Sequence, residues 1–394
     1  MKKTFSLILL LTVNCLLSTD TKAQNNWQVL NTNTNLSLLS LQCLGTDTVF
    51  MYGDNGIILQ SDNAGDTFDT HYNGTAAISM AGFFFDKDTG MVSTGSGNIS
   101  RTTNGGSNWN STGGCGCLID EICFSNNRIG LFGSTNGVFS SLDGGNSWSQ
   151  IASPYFHPTE IISLDDSVFI ANYHNIIFKT NNAGASWVTD TLNYSGAYYL
   201  TGMSFYNSQN GFVISADGHL FSSHNAGDSW NLVANIGLTS NNLFLVFTDS
   251  LNGYLVSGSS RKNIYKTTNG GLAWSLDYTS TDVIEKLEYD GKHVFACGQN
   301  GLALRKEIYP TSVSTLNEKE IHIYPNPVAE QLTIDNGQLT RNTIEIRDML
   351  GRIIYTEQLN SPLSIVRYQL LSSGIYFLRI TDGKNYSVVK FEKL

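Results

Sequence analysis

From about residue 27 onward, apolar residues come in short runs broken by Gly, Asn, Asp and Ser, and the whole pattern returns about every 40 residues. The third copy shows it best: Leu118–Phe124, Ile129–Gly133, Gly137–Ser141 and Trp148–Ile151 read as four successive strands. Glycine stands at the reversals because it alone takes positive φ cheaply. Matching second and third strands recur at 48–53 and 57–60, 90–95 and 98–102, 167–171 and 176–180, 211–215 and 219–222, 253–257 and 263–266, and 293–297 and 301–305. All six tryptophans fall in one register, Trp27, Trp109, Trp148, Trp187, Trp230 and Trp274, with Phe68 in the remaining slot. A period near 40 with an aromatic in register predicts an array of four-stranded units.

The last hairpin, around Val294 to Leu304, is followed by no tryptophan. Trp27-Gln28-Val29-Leu30 resembles Trp230-Asn231-Leu232-Val233, so the N-terminal segment is expected to add the fourth strand to residues 282 to 306. Such a clasp leaves no exposed inner edge. The expected fold class is all-β: a seven-bladed β-propeller closed by the N-terminal strand, followed by a small antiparallel β-sandwich.

A short turn precedes each aromatic from Phe68 on, as in Ser141-Leu142-Asp143-Gly144-Gly145-Asn146-Ser147-Trp148. It resembles the Asp-box (BNR) repeat, with Asp143 in one copy and Asn63, Asn104, Asn182, Asn225 and Asn269 where the family has Asp. Asn108 and Ala273 replace the Ser/Thr before the aromatic. The layout is similar to propellers of the photosystem II assembly and stability factor type. For these boxes the expectation is structural: the Asn or Asp side chain bonds backbone N–H groups about two residues on, and the Trp packs between blades.

The ends carry addresses. Met1-Lys2-Lys3, an apolar run from Phe5 to Leu17 and Thr21-Lys22-Ala23 read as a cleavable signal peptide over 1–23. The propeller is expected over 24–306 and a linker over 307–320. Residues 321–394 follow with a different alternation: Tyr324-Pro325-Asn326-Pro327, an Asp348-x-x-Gly351-Arg352 turn and Gly374-Ile375-Tyr376-Phe377. These resemble the type A C-terminal sorting domain of the type IX (Por) secretion system, which implies a Bacteroidetes-type bacterium and a secreted or outer-membrane surface location reached through the periplasm. The implied partner is the type IX secretion machinery. No later stretch has the roughly 20 apolar residues of a transmembrane helix.

Residues 24–312 carry 11 Lys/Arg against 23 Asp/Glu, a net charge of −12. Nucleic acid is disfavoured as a partner, since phosphate binding needs basic patches. That span has four arginines, Arg101 and Arg305 on equivalent third strands of different units, Arg128 in a turn and Arg261 in an insertion, which does not suggest a sialidase triad. No metal or cofactor is expected: Cys115-Gly116-Cys117 lacks zinc-ribbon spacing, and a disulfide from Cys123 to one of those two is the expected pairing. A glycosidase needs two carboxylates about 5–9.5 Å apart; Asp120, Glu121, Asp190, Asp277, Asp282 and Glu285 are expected in or near loops.

The expected ligand face is the set of loops opposite the boxes, which includes His71-Tyr72, Pro154 to Pro158, Tyr199 and Tyr278. Tyr155, His157, Tyr194 and Tyr198 are its foremost candidates, since tyrosine offers flat apolar area with a polar tip. The reading is a non-enzymatic binding or assembly module for an extracellular protein or glycan. The alternative is a glycosidase or lectin using the same face.

Overall fold

The computed structural model describes residues 27–308, apart from 127, 152, 153, 155, 193–198 and 240–242. In the tail it describes 322–324, 326, 328, 331–335, 342–347, 353–359, 363–367, 373–381 and 386–393. The expected signal peptide lies outside these residues, as does the expected linker beyond Ile308; Glu307 instead ends the strand Ala303–Glu307. The chain divides into two compact units, Met1–Ile308 and Tyr309–Leu394.

The described residues of the first unit form seven four-stranded antiparallel sheets. Their innermost strands are Leu38–Leu44, Gly82–Phe84, Ile119–Phe124, Glu160–Asp165, Leu200–Phe205, Phe244–Phe247 and Ile284–Tyr289. These strands neighbour one another in chain order, and Ile284–Tyr289 also neighbours Leu38–Leu44. The seventh sheet takes its outer strand from the other end of the chain: Gln28–Val29 pairs antiparallel with Ala303–Glu307, Gln28 opposite Arg305 and Val29 opposite Leu304.

One packing rule recurs from sheet to sheet. Gly90, Gly130, Gly211 and Gly253 open the second strands of their sheets, and a Cβ on any of them would strike the ring of Phe84, Phe124, Phe205 or Phe247 respectively. On those four rings the tryptophans stand edge-on: Trp109 at 6.3 Å, Trp148 at 5.7 Å, Trp230 at 5.9 Å and Trp274 at 6.0 Å between centroids. The resulting clusters span adjacent sheets. Trp274, for instance, packs on Phe212 and Leu220 of the fifth sheet and on Phe247 and Leu255 of the sixth. Each fully buried ring, such as Phe84 or Phe247, contributes about 1.5–3 kcal/mol to this packing.

The box turns are nearly identical. Ser141 Oγ accepts from Gly145 N–H at 2.8 Å and donates to Asp143 Oδ1 at 2.8 Å; Asp143 Oδ1 also accepts from Ser147 N–H at 2.9 Å. The same pair of backbone bonds holds in the other five, to Asn63, Asn104, Asn182, Asn225 and Asn269 at 2.8–3.1 Å and to the leading Ser or Thr at 2.8–2.9 Å. The N–H bonded to the Asn or Asp is thus four residues on, rather than two, because the turn has one residue in the left-handed region before its Gly, as at Ala64, Ala183 and Ala226. Asn replaces Asp freely because the acceptor used is Oδ1; the amide group then donates to the following hydroxyl, as Asn182 does to Ser186 at 2.8 Å.

In the second unit, His322–Tyr324, Gln331–Asp335 and Leu363–Arg367 form one sheet. Ile353–Leu359, Asn342–Arg347, Gly374–Thr381 and Tyr386–Lys393 form another. Its core joins Val328, Leu332, Ile344, Ile346, Tyr376, Leu378 and Phe391.

Candidate functional site

The inner strands of all seven sheets line one cavity of about 780 Å³. Across it runs a charged strut. Lys286, on the seventh inner strand, places Nζ 3.1 Å from Glu121 Oε2 of the third and 3.5 Å from Glu160 Oε1 of the fourth. Burial alone would lower the Lys286 pKa, but the charges of Glu121 and Glu160 outweigh it and hold the ammonium well above its usual range. Two further contacts tie carboxylates to neighbouring backbone: Glu160 Oε2 accepts from Met203 N–H at 2.7 Å, and Glu288 Oε1 from Cys43 N–H at 3.0 Å. Gln42 does the same to Phe84 N–H at 2.7 Å, and Ser204 to Phe247 N–H at 2.8 Å. Each joins one inner strand to the next. Burial pushes Glu160 and Glu288 up to about 7, with Lys286 pulling the other way.

A second constellation lies where the third, fourth and fifth sheets meet their connecting segments. His157 Nε2 is 2.6 Å from Asp120 Oδ2. From His157 a row of rings continues through Tyr173 (6.5 Å), His174 (4.2 Å beyond) and Tyr199 (5.8 Å beyond). His174 holds a left-handed backbone at φ 53°, a conformation tolerated at turns, and its carbonyl accepts from Leu200 N–H at 2.7 Å. Tyr199 is 48% exposed. Burial raises the Asp120 pKa, and the bond from His157 partly offsets it. Phe156, next to His157, goes the other way: it is buried and stacked on Phe178 at 3.8 Å.

The third feature is the seam where the first and last strands of the propeller unit meet. Asp277 Oδ2 accepts from Trp27 Nε1 at 2.8 Å and from Lys306 Nζ at 2.5 Å. Lys306 is 1% exposed and lies 5.9 Å from the Trp27 ring and 5.3 Å from that of Tyr254.

Of the ligand-face residues expected from sequence, the structure places His157 in the ring row, whereas Tyr155, Tyr194 and Tyr198 lie outside the described residues. Tyr278 packs against Trp27 at 6.2 Å and His71-Tyr72 belongs to the strand Asp69–Tyr72, so neither is in a connecting loop. Several acids also move from loops to strands. Glu121 lines the cavity, Asp190 lies in Val188–Thr191, Asp277 is at the seam, and Glu285 pairs with Arg261 at 2.5 and 3.2 Å. Arg305 bonds Ala64 carbonyl, Asp66 and Gln28. Arg261 and Arg305 thus serve separate partners.

The cysteine expectation is corrected: Cys115 bridges Cys117, with Cα atoms 5.1 Å apart, and Cys123 is a free thiol. Cys123 sits on the inner strand Ile119–Phe124 against the cluster of Leu131, Phe156 and Ile161, whereas the bridge belongs to the preceding loop. Among the described residues no group of three or more His, Cys, Asp or Glu side chains is arranged to hold a metal. Of the tail's motif residues, Tyr324 is exposed, Tyr376 is in the core, and Gly374 opens a strand with Tyr376 opposite Phe391. Asn326 accepts from Glu392 N–H at 3.0 Å. Pro325, Pro327 and Gly351 lie outside the described residues.

Residues 322–393 match the family model of the secretion system C-terminal sorting domain. This segment is a sorting tail of the type IX system; it directs the chain to the cell surface or outer membrane and implies contact with that secretion machinery. No helix among the described residues is long and apolar enough to cross a membrane. Among solved structures, YCF48 bound to D1 peptide is 17% identical with a TM-score of 0.57, covering 72% of this chain and 96% of that one. PorZ of Porphyromonas gingivalis, described as an essential surface component of the type IX secretion system, is 14% identical with a TM-score of 0.51, covering 93% of this chain and 60% of that one. At these identities the likeness establishes the fold, an all-β propeller. An endo-acting ulvan lyase from Formosa agariphila is 23% identical over 130 residues, 33% of this chain, and the match spans 22% of that relative's length.

Proposed function

We propose that the protein is a secreted or cell-surface propeller acting as a non-enzymatic binding or assembly module, delivered by type IX secretion. The proposal takes the seven sheets as blades of a closed ring over residues 24–306, preceded by a signal peptide over 1–23 and followed by a linker and the tail. Closure is supported by the pairing of Gln28–Val29 with Ala303–Glu307 and by a cavity lined from every sheet. The observation that carries the binding reading is the row His157, Tyr173, His174 and Tyr199, anchored by Asp120. Polar-tipped rings on a rigid sheet edge suit recognition of a protein or glycan. The unidentified ligand is an extracellular protein or glycan, and Tyr155, Tyr194 and Tyr198 are proposed to extend the same surface.

A glycosidase or lectin is the second reading. It is motivated by the raised carboxyls of Glu160 and Glu288 in the cavity. Against catalysis, both oxygens of Glu160 are engaged by Met203 and Lys286, and Glu288 holds the Cys43 amide.

The test is binding of the purified chain to outer-membrane extract and to a polysaccharide panel, with bound material and released sugar both measured. His157→Ala and Tyr199→Ala are each expected to weaken retention about tenfold, as for an interface anchor, with no new oligosaccharide. Release of sugar that survives both substitutions and vanishes in Glu160→Gln would overturn the binding reading.

A further inference from the structure

We propose that the Cys115–Cys117 bridge is a thiol–disulfide exchange site whose substrate is a dithiol of a partner molecule. It lies in the loop between strands Asn110–Gly114 and Ile119–Phe124, and its Cα separation of 5.1 Å is within the ordinary range for a bridge.

As a staple it has little to hold. The constraint a disulfide puts on the unfolded chain grows with the logarithm of loop length, and this one closes only Cys115, Gly116 and Cys117. The turn is fixed without it. Cys115 N–H and Gly116 N–H both donate to the Gly97 carbonyl, at 3.0 and 3.3 Å, and Leu118 carbonyl accepts from Thr135 N–H at 3.1 Å.

Cys115 packs on the cluster of Ala81, Met91 and Ile99, and exposure of the bridge is partial. Gly114 and Gly116 are exposed, the two cysteines are partly so, and no side chain stands on either glycine to block approach. The other three thiols do not compete. Burial pushes Cys123 up to about 12 and holds Cys43 and Cys297 well above the usual thiol range, so none supplies a thiolate. A bridge open to solvent is the exchangeable kind, and this one is partly so.

In the reaction a partner thiolate attacks one bridge sulfur. The Cys115–Cys117 bond breaks and its electron pair leaves on the other sulfur as thiolate, which takes a proton. The partner's second thiol then attacks the mixed disulfide, and the remaining cysteine leaves as thiolate and is protonated. Two electrons and two protons pass from the partner dithiol to the bridge, one partner disulfide forming per chain.

The test uses the full chain and dithiothreitol as the dithiol probe, with alkylation, peptide mass mapping and thermal melting in parallel. Expected is one oxidised dithiothreitol per chain, alkylation at Cys115 and Cys117 but not at Cys43, Cys123 or Cys297, and a melting shift under about 3 °C. The double variant Cys115→Ser with Cys117→Ser should melt within the same margin and consume no dithiothreitol. Free thiols at both positions in the secreted protein would overturn the proposal. So would a bridge that is reduced only on melting, or a drop beyond about 8 °C in the double variant.

Discussion

Lys286 and Lys306 are both interior cations of the propeller unit, and they sit in opposite electrostatic company. Lys286 faces Glu121 and Glu160 across the cavity, and their charges overcome burial and raise its pKa. Lys306 has one carboxylate, Asp277, between two aromatic rings; burial wins and its pKa is lowered. The number of acids in reach decides the sign. The strut therefore has spare partners, whereas the seam hangs on a single oxygen that also accepts the Trp27 indole.

Asp277→Ala attacks that single oxygen and should have the largest effect. It strands a buried ammonium and an indole N–H, at a cost of about 3–5 kcal/mol. Denaturant unfolding would measure it, and amide exchange at Gln28 and Val29 should accelerate first. Lys286→Met should cost less, roughly 2–3 kcal/mol at pH 8, because Glu160 can take a proton when its cation is gone. The loss should shrink at pH 5.5; a loss that is equal at both pH values would refute the strut's electrostatic role.

The wild-type pH profile sharpens the same point. Glu160 and Glu288 rise from 4.5 to about 7 on folding, so between those values the folded chain binds protons that the unfolded chain has released. Stability is therefore fullest below about pH 4.5 from these two groups and falls as pH rises through 7. Glu288→Gln keeps the acceptor for Cys43 N–H and should remove roughly 1 kcal/mol per pH unit of that slope. In the box turns the expected effects are smallest. Asn182→Ala forfeits the bonds to Ser186 and Thr180 and should cost about 0.5–1 kcal/mol. Asp143→Asn should stay within about 0.5 kcal/mol, since Oδ1 is the common acceptor.

The turns were legible in sequence because everything they need lies within five residues: a hydroxyl, an Asn or Asp, a Gly. The pairing of Trp27's strand with residues near 305 was legible too, from one missing aromatic and one orphaned copy. Lys286 was not. On paper, Ile284-Glu285-Lys286-Leu287-Glu288 is ordinary alternation, and its meeting with Glu121, 165 residues away, requires the inner strands to surround a common cavity. A structural signal does exist. A register irregularity recurs at Leu38/Ser40, Ile119/Glu121, Leu200/Gly202 and Ile284/Lys286, which puts Ser40, Glu121, Gly202 and Lys286 at matching positions. Only pairing information reveals it. The seam is half legible: Trp27 stands out by its register, but Asp277 reads as a loop acid and Lys306 carries no motif.

The partnership of Gln28 with Arg305 spans 277 positions, and it also sets a clock. A chain synthesised from its first residue exposes that strand early and then waits for nearly the whole propeller before its mate exists. Contacts of such long separation are paid for in loop-closure entropy before they return any stabilisation, and they slow the final step. Until then the seventh sheet has a bare edge. Moving residues 27–33 to follow Glu307 would make the same pairing a local hairpin, with faster folding and an unchanged end state.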